Sequence, residues 1–331
     1  GLGDVYKRQA FSLRQNEYGS FNTAAGTATL RENTTGNGNT AIGFQAAFSN
    51  QTGSNNVAIG KAAMRTSTDR SGNVAVGDSA LYANGTDAID SAHATSNTGV
   101  GFKALKSNTT GRLNTALGAN SLPSNTVGVS NTAIGGFAME KNTTGNFNTA
   151  IGTGSLNENV NGQYNTATGH VSLNENISGN YNSAYGFFAL HENLDGDFNT
   201  AIGAEALQLN TSGIRNTSLG TFSMKNNIDG DENTAIGYFS LENNSSGASN
   251  TAVGTWALRD NEGGSHNVAM GWSSLESAVN STDNVAIGSQ ALQRDTSGTG
   301  NVAVGYQAMQ EKKKGTLNTA IGKFAMRTDS T

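Results

Sequence analysis

The sequence predicts a repeat solenoid: a parallel β-solenoid, or β-roll, built from 17-residue coils. Three observations carry this. The motif Asn-Thr/Val-Ala-Ile/Val-Gly, with small variations, occurs eighteen times, starting at Asn22, Asn39, Asn56, Asn73, Asn97, Asn114, Asn131, Asn148, Asn165, Asn182, Asn199, Asn216, Asn233, Asn250, Asn267, Asn284, Asn301 and Asn318. Sixteen of the seventeen intervals are 17 residues, and the exception, Asn73 to Asn97, is 24. A strict short period means stacked similar units that bury a shared core. The composition agrees: 43 Gly, one Pro and 14% charged residues, against a usual charged fraction of about 25%. This is a neutral Gly/Asn/Thr/Ser-rich chain, not the high-charge composition of disorder.

Each coil is numbered here from its leading Asn as positions one to seventeen. Positions one to five read as a short strand. Alternation puts positions two and four on one face and one, three and five on the other. Position two is Thr or Val except at Ser183, and position four is mostly Ile, Val or Leu. β-branched residues suit a buried pleated surface, so positions two and four are expected inward. The position-three Ala is then expected outward, where its small size would let another chain approach. On that reading Ala150→Arg plus Ala167→Arg separates subunits without unfolding them.

The constrained positions five, eight, nine and twelve fall at i, i+3, i+4 and i+7, one face of a helix. Gly203 to Asn210 and Gly237 to Asn244 are examples. The spacing predicts a helix of about two turns, with position nine (Leu207) inward and position ten (Gln208) free; a second strand with position nine inward is the alternative. Pro123, at position ten of its coil, counts against the helix there. The Asn-x-Thr/Ser-Gly tail is turn chemistry, with the position-fifteen Gly expected to supply a positive φ.

Residues 22–331 read as a single solenoid domain of eighteen repeats, with an inserted surface loop at 85–96. Residues 1–21 read as a non-repeat N-terminal segment. Within it, residues 1–9 (GLGDVYKRQ) resemble translated sequencing adapter, and the chain reads as a fragment open at both ends.

The net charge of −5 argues against a nucleic-acid partner, since basic residues do not recur in register. The run Lys312–Lys314 is expected to be a solvated loop. Without Cys there is neither a disulfide nor a Cys-based metal site. No 18-residue apolar run is present, so no helical membrane insertion is expected.

The motifs Asn56-Val57-Ala58-Ile59-Gly60, Asn284-Val285-Ala286-Ile287-Gly288 and Asn301-Val302-Ala303-Val304-Gly305 resemble the repeats of trimeric autotransporter adhesin heads (YadA-like). The consensus also resembles repeats of phage tail fibres and related surface proteins. The resemblance covers residues 22–326. It implies a left-handed parallel β-roll, a homotrimer about the long axis, display at the cell surface or on a virion fibre, and a binding or spacing role. It also implies positions two and four inward and the position-three Ala outward. The repeat is longer than the usual head repeat, leaving room for the short helix.

No catalytic constellation is legible. His170, His191 and His266 occupy positions six, ten and seventeen, and His93 lies in the insertion, so they share no column. Asp195-Gly196-Asp197 and Asp229-Gly230-Asp231 offer oxygen ligands on Gly turns but lack the spacing of calcium β-roll repeats. No metal or cofactor is therefore expected. Aromatics are more informative. Phe222, Phe239 and Trp256 occupy position seven of consecutive coils, and Tyr238 and Trp272 occupy position six. A second run, Phe147, Tyr164, Tyr181 and Phe198, fills position seventeen. Stacked into ladders, such rings suit either a ligand or a subunit contact.

The expectation is a non-enzymatic structural and adhesive rod of a bacterial or phage surface fibre, extracellular and homotrimeric, with a host-surface protein or glycan as partner. The alternative is an ice-binding or glycan-binding solenoid. Ranked Thr on a flat sheet suits ice, but the inward position-two Thr and its replacement by Val in five copies oppose it. A polysaccharide-degrading spike would need acidic residues facing each other across a groove, and none recur in register.

Overall fold

The computed structural model describes residues 6–86, 90 and 92–328. The chain forms two compact units, Gly1–Asn165 and Thr166–Thr331. The first carries nine three-residue strands, from β1 (Tyr6–Arg8) and β2 (Thr23–Ala25) to β9 (Thr149–Ile151), and the second ten, from β10 (Thr166–Thr168) to β19 (Thr319–Ile321). Within each unit every strand pairs in parallel with the next, at the same repeat position. Both units are therefore parallel β-solenoids with 17-residue coils. Pairing begins before the first Asn-Thr-Ala motif, because Tyr6 stands opposite Thr23. Residues 1–5, part of the adapter-like segment, lie outside the described residues, as do 87–89 and 91 of the inserted loop.

The strand faces are the reverse of the expectation. Position-three Ala is the buried residue: Ala116, Ala133, Ala150, Ala184 and Ala201 are fully enclosed. Positions two and four point outward, and Ile151 and Ile202 are each 40% exposed. The Ala column is small because it packs against its own coil. At Gly99, the one glycine in that column, an added Cβ would lie 3.2 Å from the Ala104 carbonyl oxygen and 3.4 Å from Leu81 Cγ. The slot takes a methyl and little more. No neighbouring chain is needed to explain it.

The predicted helix is absent among the described residues; the middle of each coil is a run of tight turns. Positions seven and nine carry positive φ even when they are not Gly, as in Phe222 (59°), Met224 (47°), Phe239 (53°) and Leu241 (52°). The position-eight amide donates to the position-five carbonyl and the position-twelve amide to position nine, as in Ala46 to Gly43 (3.4 Å) and Asn50 to Ala47 (3.2 Å). In the closure from five to eight the αL residue at position seven takes the second central place of a β-turn, whereas the αL residue at position nine opens the closure from nine to twelve. Each αL side chain costs about 1–2 kcal/mol. Bonds between coils offset that cost. Position-seven amides donate to the preceding coil (Gln45 to Thr27, 3.0 Å) and position-nine amides to the following one (Leu30 to Ala46, 3.1 Å). A helix would satisfy these groups internally and leave the neighbouring coil's groups unpaired. Pro123 fits the same logic. It occupies the first central place of the position-nine-to-twelve turn, where Pro is favoured, and its carbonyl still accepts from Ser107 (3.0 Å).

The core is narrow. Among the described residues, position nine supplies its fully buried large apolar side chains, including Leu30, Leu105, Leu156, Leu207 and Met224. Each contributes about 1.5–3 kcal/mol on burial. Position eight is Ala or Ser in all but Thr29; Ser there donates to the position-five carbonyl, as Ser155 Oγ does to Gly152 (2.8 Å). The rest of the interior is polar. Position-one and position-twelve asparagines form two buried ladders. Asn39 Nδ2 donates to Asn22 Oδ1 (3.1 Å) and to the Gly53 carbonyl (2.8 Å), while its backbone amide donates to Asn22 Oδ1 (2.9 Å). Asn50 Nδ2 donates to Asn33 Oδ1 (2.7 Å) and likewise to Gly53 (3.0 Å). Both ladders thus meet at the position-fifteen carbonyl, and buried amides persist because their Nδ2 groups are partnered; Oδ1 of Asn50 and of Asn261 lacks a donor where the next rung is Ser67 or Ala278.

That convergence explains the position-fifteen Gly. Except at Gly315 (φ 152°) it does not have the positive φ expected of it; the φ demand falls on position five, as in Gly152 at 135°. At Gly145 an added Cβ would sit 2.5 Å from the Gly162 carbonyl and 2.7 Å from Asn159 Nδ2, so close backbone approach excludes a side chain. Arg70 is the informative exception. It holds position fifteen of its coil, and the 24-residue interval follows directly. Arg70 is 3% exposed, its Nη1 donates to the Asp90 carbonyl (2.7 Å), and its aliphatic stem packs against Gly85. The insertion makes room for the side chain that the next coil would otherwise exclude.

Candidate functional site

Phe222, Tyr238, Phe239, Trp256 and Trp272 all lie in the second unit, on the turns that follow the strands. Gly at position five ends each strand with positive φ, and position six then continues outward beside position four. Position seven, in αL conformation, folds back beneath it. The rings therefore form two layers. Phe222 and Phe239 stack with centroids 4.8 Å apart and planes 17° apart. Tyr238 stands edge-on against Phe239 at 4.2 Å, and Trp272 leans on Trp256 at 5.9 Å. Phe222, Phe239 and Trp256 are half-buried, whereas Tyr238 is 46% and Trp272 44% exposed. The structure gathers the five into two clusters, Phe222–Tyr238–Phe239 and Trp256–Trp272, and separates their roles: three support and two display. Sequence reading missed Tyr306, also at position six and 44% exposed, which meets Phe324 edge-on at 5.5 Å. Its signal is the period of two coils from Tyr238 through Trp272, visible only once position six is known to face outward.

The position-seventeen run also stacks. Phe147 and Tyr164 lie 4.9 Å apart with planes at 11° in the first unit, and Tyr181 and Phe198 5.0 Å apart at 4° in the second.

The remaining candidates have structural roles. His170 stacks on Phe187 (5.8 Å) and His191 on Phe188 (4.7 Å), and burial pushes His191 below the ordinary imidazole range. His266 faces Asp283 at 3.7 Å, both exposed. Among the described residues no group of three or more His, Asp or Glu converges as a metal site would require. In the Asp-Gly-Asp turns the second carboxylate caps the preceding coil. Asp197 Oδ1 accepts from the Asn180 amide (2.6 Å), and Asp231 Oδ1 from the Ile214 amide (2.8 Å). Ser54 and Ser265 do the same elsewhere, which is why Asp, Asn and Ser interchange there.

Near the end of the second unit the position-twelve ladder changes composition to Ala278, Asp295 and Lys312, all buried. Lys312 is therefore interior, contrary to the solvated loop expected of Lys312–Lys314; Lys313 and Lys314 are exposed. Asp295 accepts from the Gly298 amide (3.0 Å) and from Ser281 Oγ (3.0 Å). Burial pushes its carboxyl up to about 6, against an ordinary 3.8, although Ser281, Gly298 and Lys312 oppose the shift. The folded state thus holds this proton more tightly than the unfolded chain. Its contribution to stability is fully present below 3.8 and is lost as pH rises through about 6. Thermal melts followed by circular dichroism should show that loss across this window, and Asp295→Asn should remove it. An unchanged pH profile in the variant would show that Asp295 is not its source.

No protein-family model matches the chain, and no curated protein matches it.

Proposed function

We propose that the protein is a non-enzymatic structural and adhesive segment of a surface fibre that self-associates, as a homotrimer, through its strand faces. One observation carries this reading: the outward strand face of each unit is an uncharged, half-apolar column. No position-two or position-four residue from Thr23 to Ile321 is charged. Ile42, Leu117 and Ile151 in the first unit, and Ile202, Leu219, Ile236 and Ile287 in the second, are exposed. A continuous apolar surface of this kind marks an association site. A second copy carries the same side chains at the same strand spacing and so fits it rung for rung. The interface assigned on sequence grounds to the Ala column thereby moves to positions two and four. The resemblance to adhesin heads and tail-fibre repeats supports extracellular display.

The test is the mass of the purified chain by light scattering. Three times 34.1 kDa is expected, falling to one chain in Ile202→Lys plus Ile236→Lys with an unchanged circular dichroism spectrum. A parent already monomeric, or a double variant still trimeric, sinks the proposal.

The outward Thr column favours a second reading, ice binding, because the inward Thr that opposed it on sequence grounds is in fact outward. Thermal hysteresis of the parent chain separates this reading from the first.

A further inference from the structure

From Tyr238 to Tyr306, position six of the second unit carries a two-coil rhythm; the exposed His170 and Phe187, earlier in the unit, stand outside it. In order along the stack it reads Tyr238, Thr255, Trp272, Ser289, Tyr306. An aromatic ring stands on every second rung, with a small hydroxylated residue on each rung between. The three rings are exposed to similar degrees, 46%, 44% and 44%; Thr255 and Ser289 are half-buried.

The spacing is held by the backbone. The carbonyl of each ring-bearing residue accepts the position-seven amide of the following coil: Tyr238 from Trp256 (3.1 Å), Trp272 from Gln290 (2.8 Å) and Tyr306 from Phe324 (2.9 Å). Each ring is also braced by another: Tyr238 by Phe239, Trp272 by Trp256 and Tyr306 by Phe324. Lys323 Nζ adds a cation 5.7 Å from the Tyr306 ring centre. Rings whose own positions are fixed by packing make an organised platform rather than a greasy patch. Parallel strands lie about 4.8 Å apart, so successive rings are roughly 10 Å apart along the stack.

We propose that this rank binds an extended β-1,4-linked polysaccharide lying along the stacking direction. In such a chain alternate sugars are turned over, so every second ring presents the same face, and the length of one disaccharide matches two rungs. Tyr238, Trp272 and Tyr306 each stack on the C–H face of every second sugar. Thr255 and Ser289 leave room for the sugars between and offer them hydroxyl groups. One ring–sugar contact is weak. Three held in register act as linked sites, and their combined affinity far exceeds any one of them. The proposal rests on the adhesive half of the function proposed above and is independent of oligomeric state.

The experiment is co-sedimentation of the full chain with microcrystalline cellulose, with chitin and with α-linked insoluble starch. Two variants accompany the parent. One replaces all three rings (Tyr238→Ala, Trp272→Ala, Tyr306→Ala). The other moves one ring by a single rung (Trp272→Ser with Ser289→Trp), keeping composition and exposed aromatic area. The parent should bind cellulose, chitin or both and leave starch in suspension. Both variants should lose at least tenfold in binding with unchanged circular dichroism spectra. Binding to cellulose alone assigns a glucan, to chitin alone an N-acetylated chain, and to both the shared backbone. Failure to bind either polymer, equal binding to starch, or full binding by the one-rung variant overturns the inference. The light-scattering mass of the same samples reports separately on self-association, so either reading can fail while the other stands.

Discussion

Ala150→Arg should prevent the first unit from folding. The side chain of Ala150 is fully buried between its own strand and the position-eight and position-nine residues of the coil. The equivalent slot at Gly99 has room for a methyl only. The largest residue the column holds elsewhere is Ser218, and its hydroxyl is accommodated by donating to the Ser223 carbonyl at 2.8 Å. Arg brings about six more heavy atoms and five N–H donors into a slot sized for a methyl. An unpaired buried charge alone costs about 3–5 kcal/mol, and overpacking adds to it. That total is comparable to the whole stability of an ordinary domain, about 5–15 kcal/mol. Loss of β-type circular dichroism and rapid proteolysis within residues 1–165 are the expected results. A variant with a native spectrum and only a reduced mass would instead place Ala150 at a subunit contact.

Leu207→Asp is expected to be equally damaging in the second unit. Leu207 is a fully buried rung of the column of large apolar side chains, and its amide is committed to the Ser223 carbonyl at 3.0 Å. Removing a buried Leu costs about 2–5 kcal/mol before any charge is considered. Asp adds a carboxylate with no cation in the column, and its desolvation must then be met by protonation or local unfolding. Repeat units are stable only through their neighbours, so a broken rung weakens the coils on both sides. Urea titration should show the midpoint collapse, with new cleavage sites close to residue 207. Gln208→Asp, one residue on and only half-buried, should shift the midpoint by less than about 1 kcal/mol. Similar losses at both positions would contradict the assignment of position nine as the inward one.

Much of this was legible in the sequence. The 17-residue period fixed the coil length, the parallel pairing and the register, because identical residues stack most simply on one another. The constancy of position nine identified the apolar column, and the period placed Phe222 and Phe239, and Phe147 and Tyr164, one coil apart, where they stack. The clustering of turn residues marked where the chain reverses, but the positive φ expected at position fifteen falls on position five.

Three things required the tertiary structure, each for a physical reason. The inward face was misassigned because hydrophobicity was used to choose it. In so narrow a coil there is no space inside for two β-branched columns, so Ala is interior and Ile is left outside. The position-twelve asparagines were read as turn residues and the position-one asparagines as outward strand residues, because amides are normally exposed. Only the ladder geometry, with each Asn donating to the coil before it and to the Gly carbonyl of its own coil, makes their burial favourable. The helix was inferred from the i, i+3, i+4, i+7 constraint, which a run of β-turns reproduces because its inward corners fall at the same spacing. Which solution the chain adopts depends on where its amides find acceptors. That is settled by the neighbouring coil, not by any one repeat.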